Sequence, residues 1–294
     1  MLGPILAVTI SVPNLAIIEK SYQQTLDYQV VERGVVGADL INAWNAPATN
    51  NRPYILMQPQ SKHNFYLRFI ESPSASGEHS LKTLGWNAAE LLVKDVDSMP
   101  AKLKNSDFKI IAMPRTLSTT EEIKAMQVFG PASELLYFTT VSNEGFGLGS
   151  AQSSVDRVFI VINAGARMSD HINFYGKKLG IEISNPQPVR MSALNKILEL
   201  NSEEKHPLST ANIEGPFMIE LDEYPTGTIP RPRLNGDIHS GIAIVSFEVN
   251  SLDSLPVKVH GSISKPEGKL YSNQRSAIIL GPSGEWLELI EKSN

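Results

Sequence analysis

The chain has 294 residues, 41% hydrophobic and 19% charged, with a formal net charge of −5 and 0 cysteines. Such a composition belongs to a globular protein long enough for about two ordinary domains. No basic block is present, which argues against nucleic acid or an anionic membrane as partner. The lack of cysteine excludes disulfides, thiolate chemistry and Cys-ligated metals. The opening MLGPILAVTISVPNLA has no charged leader region and is interrupted by Pro4 and Pro13, and no apolar run approaches bilayer length. A cytoplasmic location is the expectation.

In chain order, ILAVTISV alternates as a strand, and IIEKSYQQTLDY places Ile18, Tyr22 and Leu26 at the four-residue steps of an amphipathic helix. Strands are predicted near 28–36, 53–58 and 64–71. The order restarts with NAAELLVKD as a strand and VDSMPAKLKN as a helix, followed by strands near 109–112, 125–129 and 134–141. The run TLSTTEEIKAM, 116–126, reads either as a lid or as a capped helix turn. SNEGFGLGSAQS, 142–153, is rich in Gly and Ser, as linkers are. Beyond it come a strand over 157–162 and the helix SDHINFYGKKLG, with Ser169 as its N-cap and Gly180 as its stop. Strands near 196–200 and 217–222 follow, then the Pro-rich TGTIPRPRLNGDIH, 226–239, read as an extended surface crossover. IAIVSFEV opens the last unit, with a helix from about Leu252 and closing strands near 276–280 and 286–291.

Three pairs of segments repeat at an offset of roughly 150 residues. FGPASELLYFTT (129–140) matches LGPSGEWLELIE (280–291), VKDVDSMP (93–100) matches VNSLDSLP (249–256), and SYQQTLDY (21–28) matches FYGKKLGI (174–181). The chain therefore divides into halves, 1–141 and 154–294, joined by 142–153. Each half contains two β-α-β-β-β units.

This pattern resembles the vicinal oxygen chelate superfamily, which includes glyoxalases, bleomycin-resistance proteins and extradiol dioxygenases. VTISVPNLAIIEKSY, ELLVKDVDSM, VSFEVNSLDSL and GPSGEWLELIE carry the resemblance, which spans nearly the whole chain. It implies an α+β fold: four βαβββ units forming two glyoxalase-like domains with U-shaped mixed sheets around clefts. It also implies a divalent metal held by His, Gln or Glu from four strand positions, because donors must converge and leave room for substrate oxygens.

Those positions fall on Ala7, Ala88, the neighbourhood of Arg68, and Tyr137 in the first half. In the second they fall on Arg157 or Ile160, on Glu220, Ile244 and Glu288. No imidazole stands at any of them. No cofactor is therefore expected, the alternative being a divalent metal on Glu220 and Glu288. His63, His79, His171, His206, His239 and His260 are expected to be surface or capping residues. Glu288 is either a cleft carboxylate paired with Arg157 or solvated, or a general base or substrate anchor. Trp286 shares its strand face with Glu288 and is either a ligand floor or core. In the first half Arg68, Glu90 and Tyr137 face the cleft; Arg68 either pairs with Glu90 or binds an anionic or carbonyl group.

Three functions compete at this level. One is a metal-independent protein, monomer or homodimer, that binds an organic small molecule. Another is a lyase, isomerase or dioxygenase acting through Glu288 or Glu220, with or without a metal. The third is an interaction module whose clefts are filled by its own side chains.

Overall fold

The computed structural model describes residues 2–72, 80–117, 122–142 and 147–293. The first unit runs β1 (Ile5–Val12), α1 (Leu15–Leu26), β2 (Gln29–Val35), α2 (Ala38–Trp44), β3 (Pro53–Gln58) and β4 (Tyr66–Glu71). Asn14 caps α1 by accepting from the Ile17 N–H, and the predicted stripe Ile18, Tyr22, Leu26 is buried. The second unit is β5 (Thr83–Val93), α3 (Met99–Leu103), β6 (Lys109–Thr116), β7 (Ile123–Phe129) and β8 (Leu135–Val141). The run 116–126 is thus the connection of a β-hairpin, not a helix turn; its residues 118–121 lie outside the described residues.

The third unit comprises β9 (Val155–Gly165), α4 (Met168–His171) widening into a π-helical stretch (Ile172–Lys178), β10 (Glu182–Ile183), β11 (Gln187–Arg190), α5 (Ser192–Ile197), β12 (Lys205–Asn212) and β13 (Met218–Glu223). The crossover contributes β14 (Ile229–Pro230). The fourth unit is β15 (Gly241–Val249), β16 (Ser276–Leu280) and β17 (Trp286–Glu291).

Several expectations are corrected here. Arg167, not Ser169, precedes α4, and the Glu223 carboxylate accepts from the first N–H of that helix at 2.6 Å. Gly180 does take the left-handed φ of +68° that ends the segment. The predicted strand over 196–200 is the end of α5 and its turn. No helix forms from Leu252: between β15 and β16 the chain turns, with isolated bridges Val259–Ile279 and Ser264–Ser276. Pro256, β-branched Val257 and Val259, and Gly261 all disfavour a helix there. The crossover is extended, but Ile229 pairs beside Thr83 and Arg231 is buried rather than superficial.

The strands form two mixed sheets. Sheet one has the order β16-β17-β15-β1-β4-β3-β2; sheet two has the order β10-β12-β13-β9-β5-β8-β7-β6, with β11 beside β12 and β14 beside β5. Each sheet joins units from different halves of the chain. Antiparallel β1–β15 (Val8 opposite Val245) unites the first unit with the fourth, and antiparallel β5–β9 (Ala89 opposite Val161) unites the second with the third. The sheets therefore do not follow the division into 1–141 and 154–294. The opening strand of each unit has a free edge, and these edges satisfy one another across the halves.

The halves are held together by other contacts. The Tyr22 hydroxyl of α1 donates to Glu134 at 2.6 Å, and the Tyr175 hydroxyl donates to Glu285 at 2.8 Å. Each Glu also accepts an N–H inside its own Gly-Pro turn, from Ala132 and Ser283. Two repeats found separately in the sequence, the helix aromatic and the Gly-Pro-x-x-Glu turn, thus meet as one hydrogen bond in each half. The four units close a ring: sheet, tyrosine–carboxylate, sheet, tyrosine–carboxylate. One apolar core lies between the sheets, and a second cluster around Trp44 covers the far face of sheet one. Among the described residues no helix is long and apolar enough to cross a membrane.

Candidate functional site

On sheet one, Glu288 of β17 lies level with Ser246 of β15, and Arg68 of β4 lies level with Thr9 of β1. Arg68 reaches the Glu288 carboxylate at 2.9 Å and also donates to the hydroxyls of Thr9 and Tyr271. Glu288 further accepts from Trp44 Nε1 at 2.9 Å, the Tyr271 hydroxyl at 2.8 Å and the Ser246 hydroxyl. The Arg68 guanidinium lies 4.7 Å from the centre of the Trp44 ring. Burial pushes the Glu288 carboxyl up, but the Arg68 charge and the donors from Ser246, Trp44 and Tyr271 outweigh it and hold the group below its ordinary value.

Glu288 is therefore a buried, fully hydrogen-bonded anion, with no room for a substrate proton. Its partner is Arg68, not Arg157, and Arg68 does not pair with Glu90. Both corrections follow from the pairing of the first unit with the fourth. Trp286 is core: its ring lies against those of His239 and His260 and under Arg233, and its carbonyl accepts from Trp86 Nε1 at 2.8 Å. This face of sheet one is filled by the protein itself, chiefly by Trp44 of the unpredicted helix α2.

Sheet two differs. A cavity of about 290 Å³ lies over its centre, roofed by the β11–α5 segment and by Arg115 and Leu117 at the end of β6. Glu220, Ile162, Ala88 and Leu135 stand level across β13, β9, β5 and β8; Glu90 and Tyr137 are level with each other two residues further along their strands. Asp222, two residues beyond Glu220, lines the same space. The predicted residues Glu220, Glu90 and Tyr137 are thus brought together.

Burial dominates the electrostatics of this floor. It raises Glu90 to about 7, against a short hydrogen bond from the Thr139 hydroxyl, and raises Asp222 to about 8. Glu220 is pushed well above the ordinary carboxyl range by burial and then by the charges of Asp222 and Glu90. Tyr137 is raised by burial and by the same three acids. Oδ1 of Asp222 is buried with no hydrogen-bond partner. Asp222 was missed in the sequence, although FMIELDE places it at the two-residue spacing from Glu220 that shares a strand face.

Arg157 does not reach this cavity. It lies five residues before Ile162, beyond an irregularity of β9 between Ile160 and Val158, and is not among the residues that line the cavity. There its guanidinium donates to the Leu148 carbonyl at 3.2 Å and lies 5.3 Å from the Phe217 ring centre. Two histidines also depart from expectation. His171 is wholly buried beside Gly165 with neither ring nitrogen partnered, and burial lowers it to about 4. His206 is buried on β12, its Nε2 2.7 Å from Asn195. His79 lies outside the described residues.

These residues do not fit a divalent metal. In sheet one the converging positions hold Thr9, Arg68, Ser246 and Glu288, and the guanidinium occupies the place an ion would need. In sheet two the corresponding positions hold Ile162, Glu220, Glu90 and Tyr137, two carboxyls with no imidazole beside them. No group of three His, Asp or Glu converges suitably among the described residues. Glu220 and Glu288, the alternative ligand pair, stand on different sheets and cannot share an ion.

No protein-family profile and no curated protein matches the chain. In three dimensions it is similar to glyoxalase I from Zea mays, with a TM-score of 0.62 and 14% identity over 98% of this chain and 92% of that one. It is also similar to a candidate dioxygenase from Bacillus subtilis subsp. subtilis str. 168, with a TM-score of 0.63 and 9% identity over 100% and 86% of the two chains. The chain therefore has the fold of glyoxalase I. It carries that fold as two glyoxalase-like domains built from four units, the fourth of which has three strands and no helix among the described residues.

Proposed function

We propose that this is a metal-independent glyoxalase-fold protein that binds an organic small molecule in the cavity of sheet two. One contrast carries the reading: the equivalent face of sheet one is plugged by Trp44 and the Arg68–Glu288 pair, whereas sheet two keeps a cavity of about 290 Å³. Apolar walls with a few convergent buried polar groups are the usual make-up of a ligand site. The volume is at the small end for such sites, so the ligand is small.

A thermal-shift screen of aromatic and polyketide-like compounds tests this. A ligand present at 100 times its Kd stabilises by about 2.7 kcal/mol. That stabilisation is expected to persist in EDTA and to vanish in Ala193→Trp, which places an indole in the roof of the cavity. Hits that survive Ala193→Trp, or a large stabilisation by Mn²⁺, Fe²⁺ or Zn²⁺ that EDTA reverses, overturn the proposal.

A second reading has its own observation. The Glu220 carboxyl faces the cavity with no hydrogen bond from any described residue, and its desolvation suits a general base in a lyase or isomerase. Glu220→Gln is then expected to abolish turnover of a bound compound while its affinity stays within about tenfold of the wild type, a split that marks lost transition-state stabilisation. Equal turnover by the variant removes this reading.

A further inference from the structure

We propose, building on the binding function assigned to the sheet-two cavity, that its ligand is an apolar-bodied amine, bound in protonated form through Asp222 and Glu220. The floor of the cavity holds three acids, Glu90, Glu220 and Asp222, and no lysine or histidine lines it. Arg231, a buried cation of the crossover, is committed elsewhere: it donates to the carbonyls of Trp86, Ser240 and Ile242 and to the Thr83 hydroxyl. Arg115 and Arg190 stand at the exposed rim, and Arg190 is paired with Glu203. The acids therefore face one another across a desolvated space without a counter-ion.

The two sheets make the omission specific. Sheet one places Glu288 on its closing strand β17 and supplies the matching cation, Arg68, from β4. In sheet two the strand that corresponds to β4 is β13, and the residue corresponding to Arg68 is Glu220, another acid. Where the filled face has a guanidinium of its own, the open one has carboxyl groups: Glu220 in the place of Arg68, with Glu90 and Asp222 lining the same space.

The buried and unpartnered Oδ1 of Asp222 is an independent sign of a missing donor. A buried acceptor left unsatisfied is unfavourable, and an ammonium brings three N–H donors. Ile162, Leu135, Leu194 and Leu208 line the remainder of the space and would cover an apolar body. The volume limits that body to a single small ring system with a short chain.

Titration calorimetry on the full chain with two matched sets of probes tests the assignment. One set is tryptamine, tryptophol and indole-3-propionate; the other is 2-phenylethylamine, 2-phenylethanol and 3-phenylpropionate. Each amine is expected to bind roughly 10- to 100-fold more tightly than its alcohol, the factor carried by a hydrogen bond to a charged group, and the carboxylates least. Asp222→Asn and Glu220→Gln, made singly and together, are expected to erase the preference while the alcohols retain their affinity. Using both variants guards against one failing to fold. Alcohols or carboxylates that bind as tightly as the amines overturn the amine assignment but leave small-molecule binding standing. Failure of every probe also overturns it; if the broader screen against Ala193→Trp is equally blank, the binding function falls with it.

Discussion

Glu288→Gln is expected to destabilise the fold by about 3–5 kcal/mol, the cost of removing one partner from a buried ion pair. Arg68 is 2% exposed and Glu288 0%, so the guanidinium left behind could not be rehydrated without opening the Trp44 cluster. Arg68→Met should cost a similar amount. The double variant Arg68→Met/Glu288→Leu should cost clearly less than the two single changes added together, because no lone charge remains buried. Denaturant midpoints at unchanged slope check all three. A Glu288→Gln protein as stable as the wild type would mean that the carboxylate is not structural. The pair also sets an acid limb: the Glu288 carboxyl is depressed in the fold, so its contribution is complete above its unfolded value of 4.5 and is lost as pH falls through the folded value.

On the alkaline side the sign reverses. Glu90 and Glu134 are raised to about 7, and Asp222 to about 8, by burial, so the folded chain holds protons that the unfolded chain releases near pH 4. A raised carboxyl favours folding fully below its unfolded value and loses that contribution as pH climbs through the folded one. His171, lowered to about 4 by burial, acts in the opposite sense, but only below its unfolded value of 6.5. Between pH 6.5 and 8.5 the carboxyls act without that opposition. Stability is expected to fall there by about 1–3 kcal/mol per pH unit, since each proton of difference contributes 1.36 kcal/mol. Denaturant titrations across this range should show the decline, and Asp222→Asn should flatten its upper part. A midpoint that rises with pH contradicts the placement of these acids.

Much of the architecture was legible from periodicity and repetition. Strand alternation located β3, β16 and β17 within a residue, and α1 followed from Ile18, Tyr22 and Leu26. The Gly-Pro turns and helix aromatics were visible as separate repeats, but their joining through Tyr22–Glu134 and Tyr175–Glu285 was not, since hydrogen-bonded partners 112 and 110 residues apart leave no local signal. The exchange of units between sheets was hidden for the same reason: nothing in a strand's own sequence says which of two similar edges it will meet. That exchange decided the site. It gave Glu288 the partner Arg68, left Glu90 with Thr139, and separated Glu220 from Glu288. The short helices α2 and α5 were missed because seven and six residues carry too little periodicity, yet α2 fills one face and α5 roofs the other. His171 and His206 were misplaced because burial of a neutral imidazole depends on what the rest of the chain puts around it.

The pairing of β1 with β15 has a consequence for biogenesis. Val8 leaves the ribosome more than two hundred residues ahead of its partner Val245. At ordinary elongation rates that is a delay on the order of tens of seconds. Throughout it the almost wholly apolar edge of β1 has no mate, whereas β5 finds β9 far sooner. Sheet two is thus free to consolidate first, while the β15-facing edge of the first strand stays unpaired until translation is nearly finished.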